Sequence, residues 1–221
     1  MNNGIPVWLV FVVGMGVVCA AVPLGAGTLT GWPWGLYFVL INAVAVATQL
    51  VVLAFTRPHL LRRRVNGGHW WQRVLIPLMV LGAASSAFVS ACDTMRWKVS
   101  SLPGWTFLLA VAFLIAAYLI NAQALQAKPP HGADSYGEQA GTLHERGPYE
   151  AVRHPVMLSV LLGSLSIPLF LGSGVGFAPL AVTLLALVLY VNAEDNWRFE
   201  EYEWFFDYTI EVPYRLFPFL W

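Results

Sequence analysis

Three long tracts of this chain contain no Lys, Arg, Asp or Glu: everything before Arg57, the stretch between Lys98 and Lys128, and the stretch between Arg153 and Glu194. Uncharged runs of this length read as membrane spans. Composition agrees, with 58% hydrophobic and 11% charged residues, where soluble domains run near ~25% charged. The expectation is an all-α, polytopic membrane protein forming one integral domain over 1–221. Four transmembrane helices make a scaffold over 1–122. A C-terminal helical hairpin and an interfacial helix are expected within 123–221.

The apolar segments are Ile5–Leu24, Trp34–Phe55, Val74–Cys92 and Trp105–Ala122, then the pair Val156–Phe170 and Phe177–Val191. Ile5–Leu24 lacks the basic flank and cleavage site of a signal peptide, so it is read as a retained span. The first arm of the last pair has 15 residues, about 22 Å of helix, and need not cross the whole bilayer. From Glu194 on, the chain mixes aromatic residues with seven acidic ones, a composition suited to the headgroup region. The last helix is expected to emerge there and continue along the interface to about Tyr208, with an extended Val212–Pro218 after it.

Basic residues set the orientation. If the loop Arg57–Arg73 faces the cytosol, so do both termini and the loop Gln123–His154. Ten of the twelve basic residues then lie inside, with only Arg96 and Lys98 outside, as the positive-inside rule requires. An inner (plasma) membrane fits this layout. Arg62-Arg63-Arg64 before Trp70-Trp71 reads as a topology determinant that contacts anionic lipid, with recruitment of an acidic lipid acceptor as the alternative. His59, His69 and His131 read as ordinary interfacial residues. Zero net charge argues against a nucleic-acid partner. Cys19 and Cys92 form no metal motif; both read as small hydrophobes, and pairing between them stays open.

One polar stretch breaks the pattern: Gly147-Pro148-Tyr149-Glu150-Ala151-Val152-Arg153-His154-Pro155, followed across the hairpin by Glu194-Asp195. Gly147 before proline is pushed toward extended geometry, and Pro148 suits the start of a short helix. Tyr149 and Arg153, four apart, would share a helical face. Free N–H groups at a helix start favour anions, so Tyr149, Arg153 and His154 suit a carboxylate or phosphate. Glu194 and Asp195 would accept from an ammonium group or ribose hydroxyls. The bland reading of the same residues is a snorkelling anchor and a solvated helix exit.

Gly-x-Tyr, three residues, then Arg-His-Pro, and later an acidic pair, Tyr208 and Val212-Pro213, resembles the membrane methyltransferases typified by isoprenylcysteine carboxyl methyltransferase, with phospholipid methyltransferases as relatives. The likeness covers about Gln139 to the C-terminus. Arg57-Pro58-His59-Leu60-Leu61, Trp71-Gln72-Arg73-Val74-Leu75 and Tyr214-Arg215-Leu216-Phe217-Pro218 look like the bacterial branch.

The resemblance implies S-adenosyl-L-methionine as cofactor and a lipophilic or small membrane-accessible acceptor bearing a carboxylate, thiol or amine. Cofactor contacts would come from Gln139, Thr142, Leu143, His144, Tyr149, His154, Pro155, Val156, Met157, Glu194 and Asp195, and catalytic roles would fall to Arg153, His154 and Glu194. Tyr149 and His154 would hold the methionine carboxylate. No metal is expected. Transfer of a methyl from a sulfonium asks mainly for alignment and exclusion of water, with His144, His154 or Glu194 as base for a thiol or amine.

This chain departs from the pattern at Asp195 (usually Glu), Met157 (often Tyr) and Gly141 (often His). It also lacks, over Leu189-Tyr190-Val191-Asn192, the arginine often found one turn before the acidic pair. Two other functions compete. One is a sterol-reductase-like NADPH-dependent membrane reductase, whose Arg-x-Pro-Asn-Tyr loop is matched here only as far as Pro155. The other is a non-catalytic membrane accessory protein with a drifted site.

Overall fold

The computed structural model describes residues 5–28, 33–58, 61, 64–65, 69–127 and 147–221. Most of these residues are helical, as backbone that enters lipid must be when its N–H and C=O groups can find no water. Seven α-helices are described: α1 Val7–Ala26, α2 Pro33–Thr56, α3 Trp70–Cys92, α4 Thr106–Ala127, α5 Pro155–Leu171, α6 Phe177–Glu201 and α7 Trp204–Glu211. A π-helical turn, Asp93–Trp97, continues α3. Five of them (α1, α2, α3 with its π turn, α4 and α6) are long and apolar enough to cross a membrane, and α5 is shorter. This is a polytopic helical membrane protein with a C-terminal hairpin.

Helix α3 is the hub, packing along both α1 and α6, while α4 packs along α5. Lipid chains are as apolar as Leu, so helix association relies on close backbone approach at small residues. Gly82 supplies one close crossing of α3 with α6. A β-carbon there would sit 2.4 Å from Thr183 Oγ1 and 2.8 Å from Thr183 N, and Thr183 Oγ1 donates to Met79 O at 3.1 Å. Between α2 and α4 the glue is polar instead. Tyr118 Oη donates to Asn42 Oδ1 at 2.8 Å, Asn121 Nδ2 to Gln49 Oε1 at 3.0 Å, and Gln49 Nε2 to Tyr118 O at 3.0 Å.

The depth of α5, open at sequence level, is fixed by its far end. Its 17 residues give about 25 Å of helix. Gly172, at φ 75°, ends it in the left-handed conformation that glycine adopts without strain. The hairpin tip then meets the α3–α4 connection. Leu102 N donates to Gly172 O at 3.0 Å and Thr94 Oγ1 to Leu171 O at 2.8 Å. Asp93, wholly buried, anchors this clasp. Its Oδ1 accepts from Val99 N (2.8 Å) and Ser100 N (3.1 Å), and its Oδ2 from Ser100 Oγ (2.5 Å) and Ser173 Oγ (2.6 Å). Helix α5 therefore runs the length of the bundle from Pro155 to the α3–α4 level, and α6 returns to the Pro155 end.

Two expectations about the tail are corrected. The last long helix does not continue to Tyr208: Tyr202 turns extended (φ −130°, ψ 114°) and α7 starts anew at Trp204. The bend lets Phe205, Tyr208 and Val212 form a buried cluster of their own, which a straight helix would have carried away from the bundle. Beyond Val212 the chain is not extended to Pro218 either. It curls so that the N–H groups of Arg215, Leu216 and Phe217 all donate to Trp221 O, at 2.9–3.0 Å. Cys19 and Cys92 are free thiols; Cys92 is buried and its Sγ–H donates to Gly25 O at 3.4 Å.

Candidate functional site

The polar stretch begins with Gly147 at φ 64°, a left-handed value in place of the extended geometry expected from Pro148. Gly147 N donates to Glu150 Oε1 at 3.0 Å, which closes a short 3-10 helix over Gly147–Glu150. The helix goes no further. Arg153 and His154 are outside it, and their N–H groups donate instead to Tyr214 O (2.9 Å) and Arg215 O (3.0 Å) of the tail. The expected helical face shared by Tyr149 and Arg153 therefore does not form. Backbone pairing with the tail is what aims both side chains, and Pro155 then opens α5 at a position where a missing N–H costs nothing.

What those side chains meet is the acidic pair on α6. Asp195 is fully buried, and Arg153 and His154 are 6% and 4% exposed. Asp195 Oδ2 accepts from Arg153 Nη2 at 3.1 Å and from Arg215 Nε at 2.8 Å, and Asp195 Oδ1 lies 2.6 Å from His154 Nε2. Glu194 is partly exposed; its Oε2 is 3.7 Å from His154 Nδ1, and Oε1 pairs with Arg198 one turn further on. Arg198 also lies over the Phe205 ring, 5.7 Å from its centroid. Arg215 Nη1 donates to Asn192 Oδ1 at 2.8 Å, and its guanidinium stands 5.5 Å from the Trp221 ring centroid.

Burial pulls the Arg153 guanidinium below its ordinary value, with the Asp195 carboxylate opposing the shift. Among the described residues its Nε, itself buried, finds no hydrogen-bond partner. Tyr208 braces the turn from α7, its Oη donating to Tyr149 O at 2.9 Å. Burial pushes the Tyr208 phenol above its ordinary value.

Of the residues the sequence singled out, Arg153, His154, Glu194 and Asp195 come together in one cluster. Tyr149 is buried behind it, and Pro155 starts α5. Val156 and Met157 are half-buried, and Met157 packs on the cluster that contains Trp71, Leu187 and Tyr190. Gln139, Thr142, Leu143 and His144 lie outside the described residues, as do Gly141, His59, His131, Arg62 and Arg63. His69 is an aromatic partner, 5.7 Å from Trp71 and 4.7 Å from Trp197 between ring centroids.

Sequence reasoning missed Asn192, Arg198 and above all Arg215. The signal for Arg215 was a single charge in the otherwise uncharged run after Glu211. It reaches α6 where the expected arginine is absent, touching both Asn192 and Asp195.

Beside the cluster is an open-sided hollow of about 390 Å³ whose lining includes Arg153, Tyr214, Arg215, Phe219, Leu220 and Trp221. Compared with protein-family models and with curated proteins, the chain gives no significant match to either. The likeness to membrane methyltransferases accordingly rests on the residues themselves.

Proposed function

We propose that this chain is a membrane-embedded S-adenosylmethionine-dependent methyltransferase for a lipophilic or small membrane-accessible acceptor, with the Arg153–His154 end of the bundle facing the cytosol. The observation that carries the reading is the meeting of His154 with both carboxylates of α6, 2.6 Å from Asp195 and 3.7 Å from Glu194. Thirty-nine residues of uncharged hairpin separate His154 from Glu194 in sequence; burying ionisable side chains is costly unless they are paired, and such clusters concentrate at functional sites.

The donors and acceptors suit the cofactor unevenly. Glu194, partly exposed, is the carboxylate fitted to accept from an ammonium group or ribose hydroxyls. Arg153, whose Nε finds no partner among the described residues, is the donor fitted to a carboxylate. Asp195 is sealed from solvent and held by three side chains, so it acts on the site by fixing the Arg153 and His154 orientations. When bound, the cofactor supplies an electrophilic methyl group. The chain's part is to hold the acceptor in line and keep water away, which can supply several kcal/mol, up to ~7–11. His154, whose Nδ1 faces Glu194, is the residue positioned to take a proton from a thiol or amine acceptor.

One observation favours the non-catalytic alternative: Arg153, His154 and Asp195 are bonded to one another. The experiment is incubation of purified protein with methyl-labelled S-adenosylmethionine and membrane extract. Transfer of label to an extractable product, lost in His154→Ala and Glu194→Gln, supports the enzyme. Absence of both cofactor binding and label transfer would support the accessory protein. Stabilisation by reduced nicotinamide but not by S-adenosylmethionine would support the reductase.

A further inference from the structure

Of the residues proposed for methyl transfer, Arg153 lines the hollow beside the tail, whereas His154, Glu194 and Asp195 are not among its lining residues. Its walls are of two kinds. Arg153 and Arg215 make one cationic, and both guanidiniums lean on the same carboxylate oxygen, Asp195 Oδ2. Two cations on one carboxylate leave positive charge over. Arg153 adds a donor, Nε, that is buried without a partner among the described residues, a costly state for any N–H.

The remaining wall is apolar and uncovered, with Phe219 and Leu220 at 89% and 81% exposure. It lies at the bundle end where α5 begins and α6 ends. Other large apolar side chains stand out at that end too: Trp70 at the start of α3, and Phe206 and Ile210 on successive turns of α7. Aromatic and apolar side chains exposed at helix ends of a membrane bundle occupy the headgroup region.

We propose that this hollow binds the anionic headgroup of a membrane lipid, its oxyanion held by Arg153 and Arg215 and its acyl chains lying over Phe219 and Leu220. Arginine forks match phosphate and carboxylate oxygens in pairs. A soluble oxyanion would satisfy the cationic wall equally. The uncovered apolar wall is what selects a lipid, because burying it against acyl chains is favourable and a free phosphate leaves it bare. The proposal does not rest on methyl transfer: Arg153 is shared with that reading, but Arg215, Phe219 and Leu220 belong to this one alone.

The test uses the full chain in a neutral maltoside detergent, with the thermal unfolding midpoint followed against dihexanoyl phosphatidylglycerol, dihexanoyl phosphatidylcholine or inorganic phosphate. Phosphatidylglycerol should raise the midpoint saturably, as a ligand of the folded state does. Phosphatidylcholine and phosphate should do so weakly or not at all. In Phe219→Ser/Leu220→Ser the concentration of phosphatidylglycerol needed should rise roughly tenfold. Both side chains are exposed, so that variant should fold normally. Arg215→Gln should lose the preference for phosphatidylglycerol; if it fails to fold, the surface double variant decides. Equal responses to the two lipids would overturn the proposal. So would a phosphate response matching that of phosphatidylglycerol, or a double variant that binds as the wild type does.

Discussion

Asp195 is the residue whose removal tests the site most sharply. It is fully buried and joins three side chains from two distant parts of the chain: Arg153 and His154 before α5, and Arg215 in the tail. In Asp195→Ala the Arg153 guanidinium, 6% exposed, keeps its charge without a counterion. Breaking a buried pair in this way costs about 3–5 kcal/mol. At roughly 2–4 °C per kcal/mol for a chain of this size, the midpoint in detergent should fall by about 6–20 °C. Asp195→Asn should do less harm. Its amide oxygen can still accept from the arginines, and its NH2 can donate to His154 Nε2 in the tautomer protonated on Nδ1, so the loss is nearer one charged hydrogen bond, about 1.5–3 kcal/mol. Arg153→Met/Asp195→Leu removes both charges and should recover part of the loss, a coupling that a double-mutant cycle reads directly. An Asp195→Ala midpoint within experimental error of wild type would refute the reasoning, because the cluster would then not depend on its carboxylate.

Three further outcomes are expected. Asp93→Ala should cost at least about 3 kcal/mol in detergent unfolding, since four donors at the hairpin tip lose one buried acceptor group; unchanged stability would remove the clasp as the device that sets the depth of α5. Gly82→Ala should cost about 1–3 kcal/mol, because the new methyl would press on Thr183 N at 2.8 Å, a backbone atom that cannot rotate away; a stable variant would mean α3 and α6 slide freely. The Tyr208 phenol titrates above its ordinary value in the folded chain, so its contribution is complete below about pH 10 and is lost as pH climbs toward the folded value. Wild type should therefore keep its stability advantage over Tyr208→Phe up to about pH 10 and lose it progressively above that, an advantage of about 0.5–1.5 kcal/mol at neutral pH from the bond to Tyr149 O; an advantage that grows with pH would contradict this.

The spans were legible because lipid admits few solutions. A tract with no charge before Arg57, or between Lys98 and Lys128, must fold as helix with its backbone satisfied internally, and that holds whatever it packs against. Gly172 likewise marks a helix end by its own conformational freedom. The meeting of Arg153 and His154 with Glu194 and Asp195 was legible too, since a hairpin of two helices returns the chain to the end where it began. What local pattern could not give was the reach of the tail. Tyr202 breaks the helix because burial of Phe205 and Tyr208 outweighs the helix hydrogen bonds lost there. The Arg153–His154 backbone leaves its helix because Tyr214 and Arg215 offer carbonyl partners.

Sequence alone thus determined a bundle of apolar helices and the identity of the groups at one end of it, because charge and hydropathy act residue by residue. Tertiary structure decided that Arg215 comes back to Asp195 and that a half-cationic, half-apolar hollow opens beside it. Those depend on where a non-helical tail lies in space, and a contact between residues far apart in the chain leaves no periodicity to read.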